Sequence, residues 1–198
     1  MKRKIRGVIL IVLGLELMLF SAVVLGYYDH QAADSAQNAQ MLLVDLNREV
    51  YQNRIENIAI EAPENQMPQL SLNGYSLIGI LKAEKAGIDL PIIDSWSYEK
   101  LKAAPCRYSG SLKTKDLVLI GHNYEGHLKT LDVLKPGDVV NFIDVSGKEH
   151  LFEVAETKIL APEQVDKLNS NDHSLTIVTC TSTGKNRFAI YCIEKHLK

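Results

Sequence analysis

Three cysteines in 198 residues are too few for a disulfide-dense mini-protein, and six prolines with twelve glycines are too few for a collagen-like fibre. The chain is not short of apolar residues. Hydrophobic residues make up 46% and charged residues 23%, which excludes a disordered tail. Positive charge is in no excess: 22 Lys and Arg stand against 24 Asp and Glu, a net of −2. Four of the positives, Lys2, Arg3, Lys4 and Arg6, crowd the first six residues, and from Asp29 onward the chain carries 18 basic and 23 acidic residues. Such an acidic body offers no electrostatic footprint for nucleic acid. The length fits one domain, with or without an appendage.

The basic start belongs with a membrane. Residues 7–28 contain one charge, Glu16, and eleven Leu, Ile, Val, Met and Phe residues precede Ser21. At helical rise this run spans about 33 Å, enough to cross a hydrocarbon core of roughly 30 Å. Tyr27 and Tyr28 fall where an interfacial anchor belongs, and the positives before the run keep the N-terminus in the cytoplasm, with residues 29–198 outside. A cleaved signal peptide has a shorter apolar region, about 7 to 15 residues, closed by a small-x-small site. Here the run is longer and no Ala-x-Ala ends it, so it reads as a retained single-pass anchor. Outside the cytoplasm, an odd number of cysteines leaves at least one free thiol or an intermolecular bridge.

After the anchor, Leu42, Leu43, Leu46, Val50 and Ile58 recur at roughly helical spacing. Residues 29–70 therefore read as a helical stalk or lid, closed by a loop flanked by Pro63 and Pro68. From Gly74 the texture changes to short β runs. Strands are expected at Tyr75–Leu81, Leu90–Ile93, Asp116–Ile120, Asp138–Val145, His150–Ile159, Leu175–Thr181 and Arg187–Glu194. Between them lie short helices at Ser97–Ala103, capped by Ser97, and at His127–Leu134, with a helical turn at Ala161–Leu168. Seven or eight short strands with few helices argue for a mostly β fold, a barrel or sandwich.

Three positions carry candidate chemistry. His122 follows Leu117-Val118-Leu119-Ile120-Gly121, where an apolar strand ends at a glycine that permits a sharp turn. Cys180 ends a second apolar strand, Leu175-Thr176-Ile177-Val178-Thr179, and enters a polar loop. Structural cysteines sit among apolar neighbours, as Cys192 does in Phe188–Ile193; Cys106 lies in a loop with no apolar strand behind it. Arg187 comes seven residues after Cys180. If residues 182–186 form a hairpin loop, the two face each other within about 8 Å. A permanent cation beside a thiol favours thiolate and can stabilise an oxyanion. Each residue alone has a plain reading, as a loop histidine, a strand cysteine or a solvated arginine; together they suggest a Cys-His active site.

Residues 74–195 resemble a sortase, a membrane-anchored cysteine transpeptidase of Gram-positive cell surfaces. The resemblance rests on Ile78-Gly79-Ile80-Leu81 with Leu90-Pro91-Ile92-Ile93, on Ile120-Gly121-His122-Asn123, on Leu131 to Asp138 (LDVLKPGD), and on Leu175 to Cys180 (LTIVTC) followed by Arg187. His122-Asn123 is similar to class B members, whereas the short stretch from Asn123 and the Lys-Pro-Gly-Asp run look more like class A or D. The resemblance implies a sortase-like eight-stranded β-barrel over residues 71–198, behind a basic tail (1–6), the membrane helix (7–28) and the stalk (29–70). It implies catalysis by His122, Cys180 and Arg187 without cofactor or metal. The implied substrates are an LPXTG-type sorting signal of a secreted surface protein or pilin, and an amine acceptor from a peptidoglycan cross-bridge, lipid II or a pilin lysine.

Other readings fit less well. His122 and His127 are five apart, with Gly126 between, which is not the i, i+4 spacing of a His-Glu-x-x-His zinc helix. Papain-like peptidases place Cys before His, the reverse of the order here. The remaining rivals are a tethered barrel that binds cell-wall peptide without turnover, and a cysteine peptidase that only hydrolyses.

Overall fold

The computed structural model describes residues 2–63, 66–167 and 173–195. It divides into two compact units, Met1–Asp34 and Ser35–Lys198. One helix, α1 (Lys2–Ile55), contributes to both. In the first unit its side chains from Ile9 to Phe20 are exposed throughout, and the helix is long and apolar enough to cross a membrane. The side chains of Lys2, Arg3, Lys4 and Arg6 lie outside the described set.

In the second unit α1 is amphipathic. Ala39, Leu42, Leu43, Leu46 and Val50 fall on one face and are buried in the main core. A fully buried leucine such as Leu46 contributes about 1.5–3 kcal/mol by leaving water. The helical spacing in the sequence extends to Ile58, but the helix stops at Ile55 and Ile58 is exposed. Asn57 takes a left-handed φ of 53°, and the Ile58 N–H donates to the Asn53 carbonyl at 2.9 Å. This is a Schellman stop, in which asparagine can stand where glycine is usual. The Asn53 side chain then donates to the Val145 carbonyl at 2.9 Å and ties the helix end to the sheet.

Nine strands follow: β1 (Leu70–Leu72), β2 (Tyr75–Ala83), β3 (Ile88–Ile93), β4 (Cys106–Ser109), β5 (Leu117–Ile120), β6 (Val139–Asp144), β7 (Glu149–Leu160), β8 (Leu175–Cys180) and β9 (Arg187–Glu194). Their order is β1-β2-β3-β4-β5-β8-β9-β7-β6, and β6 pairs back onto β2. That last pairing closes β2 to β9 into an eight-stranded barrel, leaving β1 as a three-residue flap on β2. Closure removes the sheet edges that would otherwise offer unpaired backbone. The expected mostly β barrel is therefore present.

Local signals account for many of the boundaries. Ser97 Oγ accepts from the Lys100 N–H at 3.1 Å and caps α2 (Tyr98–Leu101). Gly147, at φ 82°, makes the β6–β7 turn. The expected helix at His127–Leu134 is instead a 3₁₀ segment at Lys129–Val133, and the turn at Ala161–Leu168 is a 3₁₀ segment at Pro162–Lys167. Leu168 lies outside the described residues.

Two strands were not legible in the sequence. β1 and β4 are three and four residues long, too short to show a period. The placement of Cys106 in a loop is thereby corrected. It opens β4, is fully buried, and its apolar neighbours come from β3 and β5 rather than from its own segment.

Candidate active site

The site is built on the outer face of β5, β8 and β9. Along β8 the side chains alternate. Leu175 and Ile177 join the barrel core, while Val178 joins a second apolar cluster with Val118, Ala189 and Tyr191. Cys180, two residues beyond Val178, continues that outer row. The register carries the row across neighbouring strands: Ile120 lies beside Val178 in the parallel β5–β8 pair, and Ala189 lies opposite Val178 in the antiparallel β8–β9 pair. The outer face is thus an apolar floor that ends in polar chemistry at the ends of the strands.

At the end of β8, Cys180 stands directly opposite Arg187, the first residue of β9. Opposed residues in an antiparallel pair share a face, with Cβ atoms about 4.5–5.5 Å apart. The intervening turn is closed by the Thr181 N–H donating to the Asn186 carbonyl at 2.9 Å and the Gly184 N–H to the Thr181 carbonyl at 2.8 Å. Arg187 donates through Nη1 to the Gly184 and Asn186 carbonyls, both at 3.3 Å. The three thiols differ sharply. Cys180 is partly exposed, whereas Cys106 and Cys192 are buried, and burial pushes each of these two up to about 12.

His122 sits two residues beyond Ile120, past the end of β5. The Gly121 N–H donates to the Val178 carbonyl at 3.1 Å, and Thr179 Oγ1 donates to the Gly121 carbonyl at 3.0 Å. These bonds lock the start of the loop to β8. Gly121 does not take the positive φ that a sharp turn suggested. Its need is space: a Cβ there would stand 2.8 Å from Leu128 and 3.1 Å from Pro105. The His122 ring stacks on Tyr124, with centroids 4.5 Å apart and planes 15° from parallel. Burial, and then the charge of Lys102, hold its imidazole below the ordinary 6.5.

A cleft of about 350 Å³ brings the three together. It is lined by His122, Cys180 and Arg187, over a floor that includes Ile120 and Val178. Its far wall is aromatic. Trp96 and Tyr108 lie with ring centroids 5.8 Å apart, and Trp96 meets Tyr98 edge-on at the same distance. These aromatics were not singled out in the sequence. The run Asp94-Ser95-Trp96-Ser97-Tyr98 was a possible signal, but Tyr108 comes to it through the β3–β4 pairing. Arg107 beside it is occupied: its guanidinium pairs with Asp94 at 2.9 Å and bonds the Gly110 carbonyl. His127, the other histidine of the loop, turns away from the cleft and is buried against Ser35.

A sortase-domain family model matches residues 81–194, more than half of the chain, and spans all three cleft residues. The chain belongs to the sortase family. Solved sortases share its fold. A sortase D5 transpeptidase of Clostridium perfringens superposes with a TM-score of 0.57 at 19% identity, over 83% of this chain and 99% of that one. Sortase C from Clostridium perfringens SM101 gives 0.54 at 19%, over 89% and 99%. Clostridium perfringens sortase C with the C-terminal cell wall sorting motif gives 0.54 at 20%, over 85% and 91%. At these identities the likeness is one of fold. The motifs suggested class B or D, and these three structures are named sortase C and sortase D. Among curated proteins, none matches this sortase in sequence.

Proposed function

We propose that this sortase is a cysteine transpeptidase that cleaves an LPXTG-type sorting signal and passes the acyl group to a cell-wall or pilin amine. The observation that supports this most is the presence of a partly exposed thiol, an imidazole and a guanidinium on one cleft, two of them at opposed register positions. In this reading the Cys180 thiolate attacks the carbonyl carbon of the scissile Thr-Gly amide. The C–O pair moves to oxygen, and Arg187 holds the oxyanion or the adjacent substrate backbone. As the tetrahedral species collapses, the C–N bond breaks and His122 gives its proton to the leaving amine. A thioester remains. The acceptor amine then attacks it, neutral His122 takes the amine proton, and the thiolate leaves.

The aromatic wall and apolar floor suit the apolar residues that precede the threonine of such a motif. Clostridium perfringens sortase C has been solved with its C-terminal cell wall sorting motif, which makes peptides of this class the natural probes. The test is mass spectrometry of the full chain in detergent with a small library of sorting peptides and a free amine. A thioester adduct on Cys180 and an amine-exchanged peptide are expected. Absence of both across the library, or an adduct persisting in Cys180→Ala, sinks the reading.

The basic residues before the apolar run support a cytoplasmic N-terminus, with residues 29–198 outside. Protease added to intact protoplasts should then digest the barrel, and its protection would reverse the orientation.

A further inference from the structure

His127 is 3% exposed, and its partners are unusual for a core histidine. Its Nε2 lies 3.1 Å from Ser35 Oγ and 3.4 Å from the Ser35 carbonyl. Ser35 is itself buried, and its hydroxyl donates to the Lys102 carbonyl at the C-terminal cap of α2. With its proton committed there, Ser35 Oγ can only accept from the ring, and the carbonyl can only accept. Nε2 therefore carries the hydrogen. Nδ1 is then a bare acceptor, buried without a partner among the described residues. A leucine would fill the same volume without that cost. What the imidazole adds is a directed bond between α1 and the loop that carries His122.

That loop transmits the bond. The Leu128 N–H donates to the His122 carbonyl at 3.2 Å, and the His127 N–H to the Tyr124 carbonyl at 3.0 Å. Tyr124 has two ring neighbours, His122 stacked at 4.5 Å and His127 tilted at 6.1 Å between centroids. Gly126, at φ 75°, lets α1 approach: a Cβ there would meet Ala36 Cβ at 2.6 Å. The loop is thus clamped between helix and barrel, with the His122 ring held through Tyr124.

We propose that Ser35 and His127 are positioning residues that fix the orientation of the His122 ring through Tyr124, so that α1 from Ser35 onward is part of the acid–base machinery. This rests on the role given to His122 above. A displacement of the order of 1 Å at a reacting group can cost about 10²-fold in rate, so a directed anchor two side chains away is large enough to matter. Glutamine can replace the Nε2 donor; leucine fills the space without it.

The test compares wild type with His127→Leu, His127→Gln and Ser35→Ala as full chains in detergent. Turnover of a sorting peptide is measured per folded molecule, alongside proton NMR titration of the His122 ring, assigned from the His122→Gln spectrum. In His127→Leu, kcat should fall by about tenfold or more, with KM nearly unchanged. The upfield ring-current shift of His122 should shrink as its stack on Tyr124 loosens. His127→Gln should restore both, and Ser35→Ala should fall between. A purely structural histidine would lower stability while leaving kcat per folded site, the ring-current shift and the His122 midpoint as in wild type, and that result overturns the proposal. The NMR comparison needs no turnover. If no peptide is cleaved by wild type, the transpeptidase reading fails, and an unchanged or a displaced His122 signal still decides the positioning.

Discussion

Cys180 and Arg187 are directly opposed across the β8–β9 hairpin, the last residue of one strand facing the first of the next. The six-residue turn between them is held by bonds involving Thr181, Gly184 and Asn186, and Arg187 reaches back to two of its carbonyls. A strand backbone fixes the direction of each side chain. The stem of Arg187 thereby leaves the sheet on the same face as the thiol, and its guanidinium is tied to the turn through Nη1.

The first prediction follows from that geometry. Lysine keeps the charge of Arg187 but loses the planar fork that can hold two acceptor sites. Arg187→Lys should lower kcat/KM by about 10²-fold, the usual cost of losing one oxyanion donor, with circular dichroism unchanged. Near-normal turnover would return Arg187 to a surface charge.

The three thiols should separate cleanly. Cys180→Ala should abolish cleavage. Cys106→Ala and Cys192→Ala remove thiols that burial keeps protonated, so they should leave kcat intact and lower only the melting temperature. Iodoacetamide should label Cys180 alone in the folded chain. A dead Cys106→Ala variant with a normal melting curve would mean the wrong thiol has been chosen.

The pH profile of kcat/KM should be a bell. In the proposed mechanism its competent form has an ionised Cys180 and a protonated His122. Burial, then Lys102, hold His122 below 6.5, so the limb that reports His122 should lie below that value. Lys102→Gln removes the smaller of the two causes and should move the limb upward. A rate that rises to a plateau in alkali would instead make His122 a base or a bystander.

Stability should depend on pH through His127. Burial, partly opposed by its bond to Ser35, lowers this group from 6.5 to about 4. Between those values the unfolded chain binds the proton and the folded chain does not. Stability is therefore fully present above pH 6.5 and falls as the pH drops toward 4, by about 3 kcal/mol. Urea denaturation at pH 7 and pH 4.5 measures the loss. In His127→Gln the difference should shrink, while the contribution of the carboxylates stays; an unchanged difference would refute the assignment.

Much of the fold could be read locally. The apolar run of β8, the Ser97 cap and the turn at Gly147 are decided by residues a few positions apart, and each was legible. The apolar neighbours of Cys192 marked it as packed, and the polar loop after Cys180 marked that thiol as the candidate. Where local signals ran out, the errors followed. Ile58 kept the helical spacing, but Asn57 had already ended the helix. Cys106 lacked apolar neighbours in its own segment and found them on two other strands.

The sequence by itself determined the anchor, the longer strands and the three side chains worth watching, because apolar run length, capping and turn chemistry act over a few residues. Only the tertiary structure decided which of them meet. The parallel β5–β8 register sets His122 on the same cleft as Cys180, with 57 residues of chain between them, and no local pattern specifies that pairing. The aromatic wall forms the same way, when β4 carries Tyr108 to Trp96. The contact of Ser35 with His127 spans 92 positions and exists because α1 buries one face against the barrel. Such contacts come from closing the barrel and packing a helix on it, where burial of the whole apolar surface, not the preference of any one segment, selects the arrangement.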